Sequence, residues 1–194
     1  MPDFAGNLYK TCFFRSVLPV TDDLIKSARI LVIDDELAIV GLLEGVLKDA
    51  GYKNLSETND SRVAMAMFTD YRPDLILLDL HMPHQDGYHI LRMLRRIVPA
   101  NAFLPIIVIT GDVAPESRRR ARALGATDFI FKPFDILEVA LRTENVLQLR
   151  FLHGQLQNEK GFLEKRVRER TRSLERMIAE LRCAALPLFN ASLM

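Results

Sequence analysis

Three carboxylates, a hydroxyl and an ammonium stand where short apolar runs end: Asp34 and Asp35, Asp79, Thr110 and Lys132. Brought together, such groups make a magnesium-assisted phosphate site. Asp79 is the expected nucleophile, because it ends the most apolar run, DLILL, and carboxylates form acyl phosphates in covalent phosphoryl transfer. Attack by one anion on another needs a cation between them. Asp35 beside Asp79 offers magnesium hard oxygen ligands, with waters and the incoming phosphate completing the octahedron; Asp34 is expected to act through a water or by orienting the metal. Lys132 is a compact charge suited to a phosphate oxygen, or to pairing with Asp79 while no phosphate is present. Thr110 can donate a hydroxyl hydrogen bond to the transferred group, with Gly111 leaving room beside it.

The elements that must position these groups are short. Runs over 29–33, 74–78, 104–109 and 128–131 are rich in Ile, Leu, Val and Phe and too brief for helices, so they read as parallel strands buried on both faces. Between them lie amphipathic stretches expected to begin helices near Glu36, Ser61, Gly87, Pro115 and Phe134. Pro115 suits a first helical turn, Glu116 suits the positive helix start and Gly125 supplies a stop. The alternation of strand and helix predicts an α/β sandwich with a parallel sheet. In such a sheet the ligand crevice lies at the carboxyl ends of the strands, which would gather all five polar residues on one rim. Taken singly they have plainer uses: an Asp pair before a helix caps it, a strand-end Thr caps a turn, a lone Lys is solvated. Their recurrence at successive strand ends carries the reading.

Composition narrows the partners. The chain has 194 residues, 49% of them apolar, enough for one domain with a buried core plus an appendage. A formal charge of +1 gives no field that selects nucleic acid or an acidic membrane. Cys12 and Cys183 lie near opposite ends without metal-ligand spacing, so neither a disulfide framework nor a zinc site is indicated. With no secretory leader pattern and no run approaching a membrane span, the expected setting is the cytoplasm.

The pieces ILVIDDE, LILLDLHMPHQDG, PIIVITGD and FIFKPF resemble the receiver domain of two-component response regulators, over about 120 residues. The resemblance implies a flavodoxin-like, doubly wound five-stranded parallel sheet of order 2-1-3-4-5. It implies phosphorylation of Asp79 by a histidine kinase or phosphotransfer protein, and magnesium held by Asp35, Asp79 and the backbone carbonyl of His81. Thr110 then becomes the switch hydroxyl, Phe129 the switch aromatic, and Lys132 the phosphate-sensing cation, followed by a cis bond to Pro133. On phosphorylation Thr110 would move inward and Phe129 would rotate into the vacated space, changing the face built by the fourth helix, fifth strand and fifth helix. A competing reading makes His81, His84 and His89, near Asp79 and Asp86, a transition-metal cluster. It is disfavoured, because His84 and His89 straddle a helix start without the i, i+4 pairing of a two-His site. His81, two residues past the nucleophile, is placed to influence hydrolytic water.

Beyond the receiver, expected over 28–148, no turn signal interrupts the fifth helix until Pro187. Leu149, Leu152, Leu156, Leu163, Val167, Leu174, Met177 and Leu181 form a seam with steps of three, four or their sum, and two successive four-residue steps, from Glu159 to Leu163 and on to Val167, make a stutter. A coiled coil over 149–186 and a tail over 187–194, opened by a break at Pro187, are expected. Residues 1–27 read as an extension without clear period. The coil resembles the linkers that join receivers to HD-GYP cyclic-di-GMP phosphodiesterase domains, yet no His-Asp dyad or GYP motif follows. The leading expectation is therefore a non-enzymatic, phosphorylation-controlled homodimer or adaptor with a downstream protein partner. The alternatives are the input half of a truncated HD-GYP regulator, and nucleic-acid binding through RVRERTR, which is weakened by its interleaved Glu and the lack of a helix-turn-helix.

Overall fold

The computed structural model describes residues 20–99 and 102–190, so Cys12 and the aromatic and apolar residues of the first 19 positions lie outside the described residues, as does the end of the tail. The chain divides into two compact units, the second beginning at Gln155. In the first unit the strands are β1 (Arg29–Ile33), β2 (Asn54–Thr58), β3 (Leu75–Asp79), β4 (Ile106–Thr110) and β5 (Asp128–Phe131). Its helices are α1 (Leu37–Asp49), α2 (Ala64–Tyr71), α3 (Gly87–Ile97), α4 (Pro115–Ala123) and the start of α5 (Ile136–Asn190). All strand pairs are parallel, in the order β2-β1-β3-β4-β5. The flavodoxin-like expectation is met.

Alternating side chains of the sheet feed two cores. Leu75 and Leu77 of β3 join Ile30, Val32, Leu43, Leu47, Val139 and Leu147 on the face covered by α1 and α5. Ile76 and Leu78 join Leu31, Ile33, Ile90, Leu91 and Phe129 on the other face, under α2, α3 and α4. Burying each such side chain contributes about 1.5–3 kcal/mol, so the two-sided centre of the sheet is the rigid frame on which strand-end residues sit.

Three boundaries differ from the sequence reading. Strands β3 and β4 end one residue later than expected and therefore contain Asp79 and Thr110; Pro105 has no N–H to give a ladder, so β4 starts after it. Part of the N-terminal extension is structured: a single helical turn, Asp22–Lys26, is capped by Thr21 and buries Ile25. At the other end α5 runs through Pro187 to Asn190 rather than breaking there. Proline's φ is itself helical, and near a helix end it forgoes only one backbone hydrogen bond.

In the second unit, residues 155–190 are helical. Leu156, Leu163, Val167, Leu174 and Met177 of the seam are each about half exposed or more, as are Phe162 and Ile178.

Candidate functional site

The order β2-β1-β3 reverses direction between β1 and β3, which leaves a crevice beyond the carboxyl ends of those two strands. Asp34 follows β1 directly and Asp79 ends β3, so the two carboxylates straddle it. Thr110 ends β4, and Lys132 follows β5 with its N–H donating to the Thr110 carbonyl at 2.9 Å. The Lys132–Pro133 peptide is cis.

Lys132 holds the crevice together electrostatically. Its Nζ lies 2.9 Å from Asp34 Oδ2, 3.1 Å from Asp79 Oδ1 and 3.1 Å from Glu36 Oε1. Asp34 and Asp79 are almost fully buried. Asp34 Oδ1 accepts the Glu36 N–H at 3.0 Å, which fixes the turn into α1, while Oδ2 has no aligned hydrogen-bond donor and depends on the ammonium. Burial pushes the Asp34 carboxyl above its ordinary value, and Lys132 and the Glu36 N–H pull against that. Burial alone would lower the Lys132 ammonium; Asp34, Asp79 and Glu36 together outweigh it and hold it above its ordinary value. Lys132 therefore stays charged while it faces the carboxylates.

Asp79 is gripped from its own loop as well. Oδ2 accepts the His81 N–H at 2.6 Å, leaving Oδ1 toward Lys132. Gly87 makes that loop possible: a Cβ there would lie 2.2 Å from the Asp79 carbonyl oxygen and 2.8 Å from Leu80 Cα, and the Gly87 N–H bonds the Leu80 carbonyl. Ser61 ties the other side of the loop, donating to the Pro83 carbonyl at 2.9 Å and accepting the Gln85 N–H. In the sequence, Gly87 and Ser61 read only as helix starts. Glu36 was likewise a helix start, and no sequence signal places it on Lys132.

Thr110 is buried; its Oγ1 accepts the Asp112 N–H at 3.1 Å and lies 3.3 Å from His81 Nδ1. Asp112 in turn caps the approach to α4, accepting the Ala114 N–H and the Ser117 hydroxyl, which lowers its carboxyl below the ordinary value. Gly111 is open, with no atom within 4 Å of where a Cβ would sit.

Phe129 does not start outside. It is 4% exposed, in one buried cluster with Ala121 and Ala126, and the guanidinium carbons of Arg118 and Arg122 lie 5.9 and 5.6 Å from its ring centre. The small alanines leave room for the ring, and the arginines close over it. In this conformation the ring is therefore already packed inside.

A magnesium ion fits this corner on the chemistry of its donors. Asp34 Oδ2 is a buried oxygen without an aligned donor, and Asp35, half-buried, follows it in the chain. Among the described residues no three His, Cys, Asp or Glu side chains converge closely enough to hold a metal by themselves. Magnesium does not need them, since it is held by one or two carboxylates and keeps several waters. His81, His84 and His89 form no such group either.

The family model of the response regulator receiver domain matches residues 30–144. The chain belongs to this family, the phosphoacceptor receivers of two-component response regulators, which work with histidine kinases or phosphotransfer proteins and generally bind magnesium at the phosphorylation site. Among its relatives is the probable cyclic di-GMP phosphodiesterase of Vibrio cholerae, 30% identical over 153 residues, covering 79% of this chain and 34% of that protein. The response regulator PleD of Caulobacter vibrioides is 35% identical over 135 residues, 70% of this chain and 29% of PleD. In structure the chain is similar to chemotaxis protein CheY4 of Vibrio cholerae (TM-score 0.56, 31% identity, 62% of this chain and 98% of that one). It is also similar to NtrX of Brucella abortus (TM-score 0.62, 32% identity, 68% and 29%). The chain spans between 27% and 50% of the length of the sequence relatives it matches. No helix among the described residues is long and apolar enough to cross a membrane.

Proposed function

We propose that Asp79 accepts the phosphoryl group, through Oδ1, the oxygen not held by the His81 N–H. The observation that carries this is the single ammonium of Lys132 bridging Asp34 and Asp79 at the switch point of the sheet. Asp34, Asp35, Asp79 and the His81 carbonyl would hold magnesium, which supplies positive charge between the carboxylate and the incoming phosphate. Lys132 gives up its contact with Asp79 Oδ1 and takes a phosphate oxygen. Thr110 leaves His81 and donates its hydroxyl to the same group. Phe129, already buried, serves as the packed back wall of Thr110's strand, so the switch is read as a shift of α4 and its arginines rather than as a ring swing.

The output is binding. Residues 28–148 act as the receiver and 149–186 as a coil whose exposed apolar seam pairs with a second copy, because a one-sided stripe of Leu, Val and Met in water needs a partner. The face of α4, β5 and α5 is the second pairing surface, and a downstream protein reads the dimer. Incubation with acetyl phosphate and magnesium should label the wild type and not Asp79→Asn; labelling of that variant at full stoichiometry rejects the assignment. Light scattering with and without beryllofluoride and magnesium tests the dimer, and a monomeric mass in both states rejects it.

A second reading, the input half of a cyclic-di-GMP phosphodiesterase regulator, is favoured by one observation. The match to the Vibrio cholerae protein covers 153 residues, more than the receiver model spans. An HD-GYP reading frame immediately downstream in the genome would support it.

A further inference from the structure

The outer surfaces of α3 and α4 carry seven arginines: Arg92, Arg95 and Arg96 on α3, and Arg118, Arg119, Arg120 and Arg122 on α4. All seven are exposed. Against them these two helices carry one carboxylate, Glu116. Among the described residues none of the seven makes an ion pair, whereas Arg29, Arg62, Arg142, Arg150 and Arg168 all do. The two helices form one surface. The Tyr88 hydroxyl bonds the Ser117 carbonyl, Arg120 lies 4.1 Å above the Tyr88 ring, and Arg95 donates to the Ala123 carbonyl. Arg92, one turn beyond Tyr88, lies on the same stripe of α3.

Several guanidiniums are held in place rather than free. The guanidinium carbon of Arg118 lies over the Phe129 and Phe131 rings and that of Arg122 over Phe129, at 5.6 to 5.9 Å, so part of the rotamer freedom of these side chains is already given up. Clustered like charges without partners repel one another, so this surface lowers stability unless an anion meets it.

We infer that the α3–α4 surface docks an acidic segment of a protein partner, its carboxylates taken by these arginine forks. Carboxylate fits the planar, bidentate geometry that arginine offers and lysine does not. A nucleic acid fits less well. Residues 20–154 carry more acidic than basic side chains, so the field around the unit repels a long polyanion and favours a short, local one. The rings beneath this surface, Phe129 and Tyr88, are buried under arginine rather than open to stack bases.

The test uses the full chain without phosphodonor, so it does not depend on Asp79. Fluorescence anisotropy is followed with a short labelled oligoglutamate peptide at low ionic strength, and with a DNA duplex of matched charge. The oligoglutamate should bind and be released by salt. The double variant Arg92→Gln/Arg119→Gln, at positions with no ring or backbone contact described above, should weaken binding about tenfold while circular dichroism stays unchanged and the melting temperature does not fall. Arg166→Gln/Arg170→Gln in the second unit should leave affinity as it was. No binding by the wild type, equal binding by the α3–α4 variant, loss of binding in the second-unit variant, or preference for the duplex would each overturn the assignment.

Discussion

The imidazole Nδ1 of His81 stands 3.3 Å from the hydroxyl oxygen of Thr110. One residue follows the expected phosphoacceptor by two positions, and the other ends the neighbouring strand. The Thr110 hydroxyl is thus engaged by His81 before any phosphate arrives. Reaching a phosphoryl group on Asp79 breaks that contact. His81→Ala removes the competitor, and a neutral hydrogen bond is worth about 1 kcal/mol, so beryllofluoride should bind roughly fivefold more tightly in the presence of magnesium. Calorimetric titration measures it, and an unchanged or weaker affinity contradicts the latch.

Phe129 is already packed beneath Arg118 and Arg122. If the ring is a wall and not a swinging reporter, a fluorine label on Phe129 should shift little on adding beryllofluoride and magnesium, while the Thr110 amide shifts strongly. A large fluorine shift, with the ring leaving its buried site, would restore a rotation mechanism.

The strands that hold the site could be read because burial on both faces leaves an unbroken apolar run, as in LILLD and IIVIT. β2 could not be read that way. NLSET is an edge strand, half exposed along its length, and neither periodicity nor apolarity marks it; the alternation and the resemblance to receivers called for a fifth strand, but no apolar run located it. The five polar residues at strand ends were visible for the same reason as their strands. Glu36 on Lys132, Ser61 on the Pro83 loop and His81 on Thr110 were not, since each joins residues on different elements and no local pattern encodes that adjacency. Phe129 was marked only by the resemblance to receivers, and its buried state depends on alanines and arginines of α4 and the following turn.

Asp60 is held by Arg62 through side-chain and backbone hydrogen bonds, which lower its carboxyl from 3.8 to about 2. A depressed folded-state value means the contribution is complete above the unfolded pKa near 3.8 and fades as pH falls toward 2. Carboxyl-carbon NMR should show a midpoint near 2 in the native chain and a return toward 3.8 in Arg62→Gln. A native midpoint at the ordinary value would remove this pair from the acid response.

Two glycines should behave oppositely. Gly45 lies inside α1 with nothing within 4 Å of a Cβ, so Gly45→Ala should stabilise by roughly 1 kcal/mol through helix propensity and reduced unfolded-state freedom. Gly87→Ala drives a methyl into the backbone of Asp79 and Leu80, which cannot yield as a flexible side chain could. A loss of about 3 kcal/mol or more is expected, together with lower phosphoryl uptake, because the displaced backbone belongs to the proposed phosphoacceptor Asp79 and to Leu80 after it. Denaturant melts of both variants decide it; a Gly87→Ala protein as stable as the wild type would mean the loop relaxes freely.

Lys132 counters two nearly buried carboxylates with one charge, and its own side chain is only 19% exposed. Lys132→Met leaves Asp34 and Asp79 facing each other across the crevice with no cation, and removing one partner of a buried pair costs about 3–5 kcal/mol. Magnesium is the other cation proposed for those oxygens. The variant should therefore melt well below the wild type in sodium chloride and recover part of the difference in magnesium chloride at equal ionic strength. The wild type, whose carboxylates already have Lys132, should gain much less. If magnesium raises both proteins equally, or neither, the ammonium and the metal are not alternative counter-charges for the same pair of carboxylates.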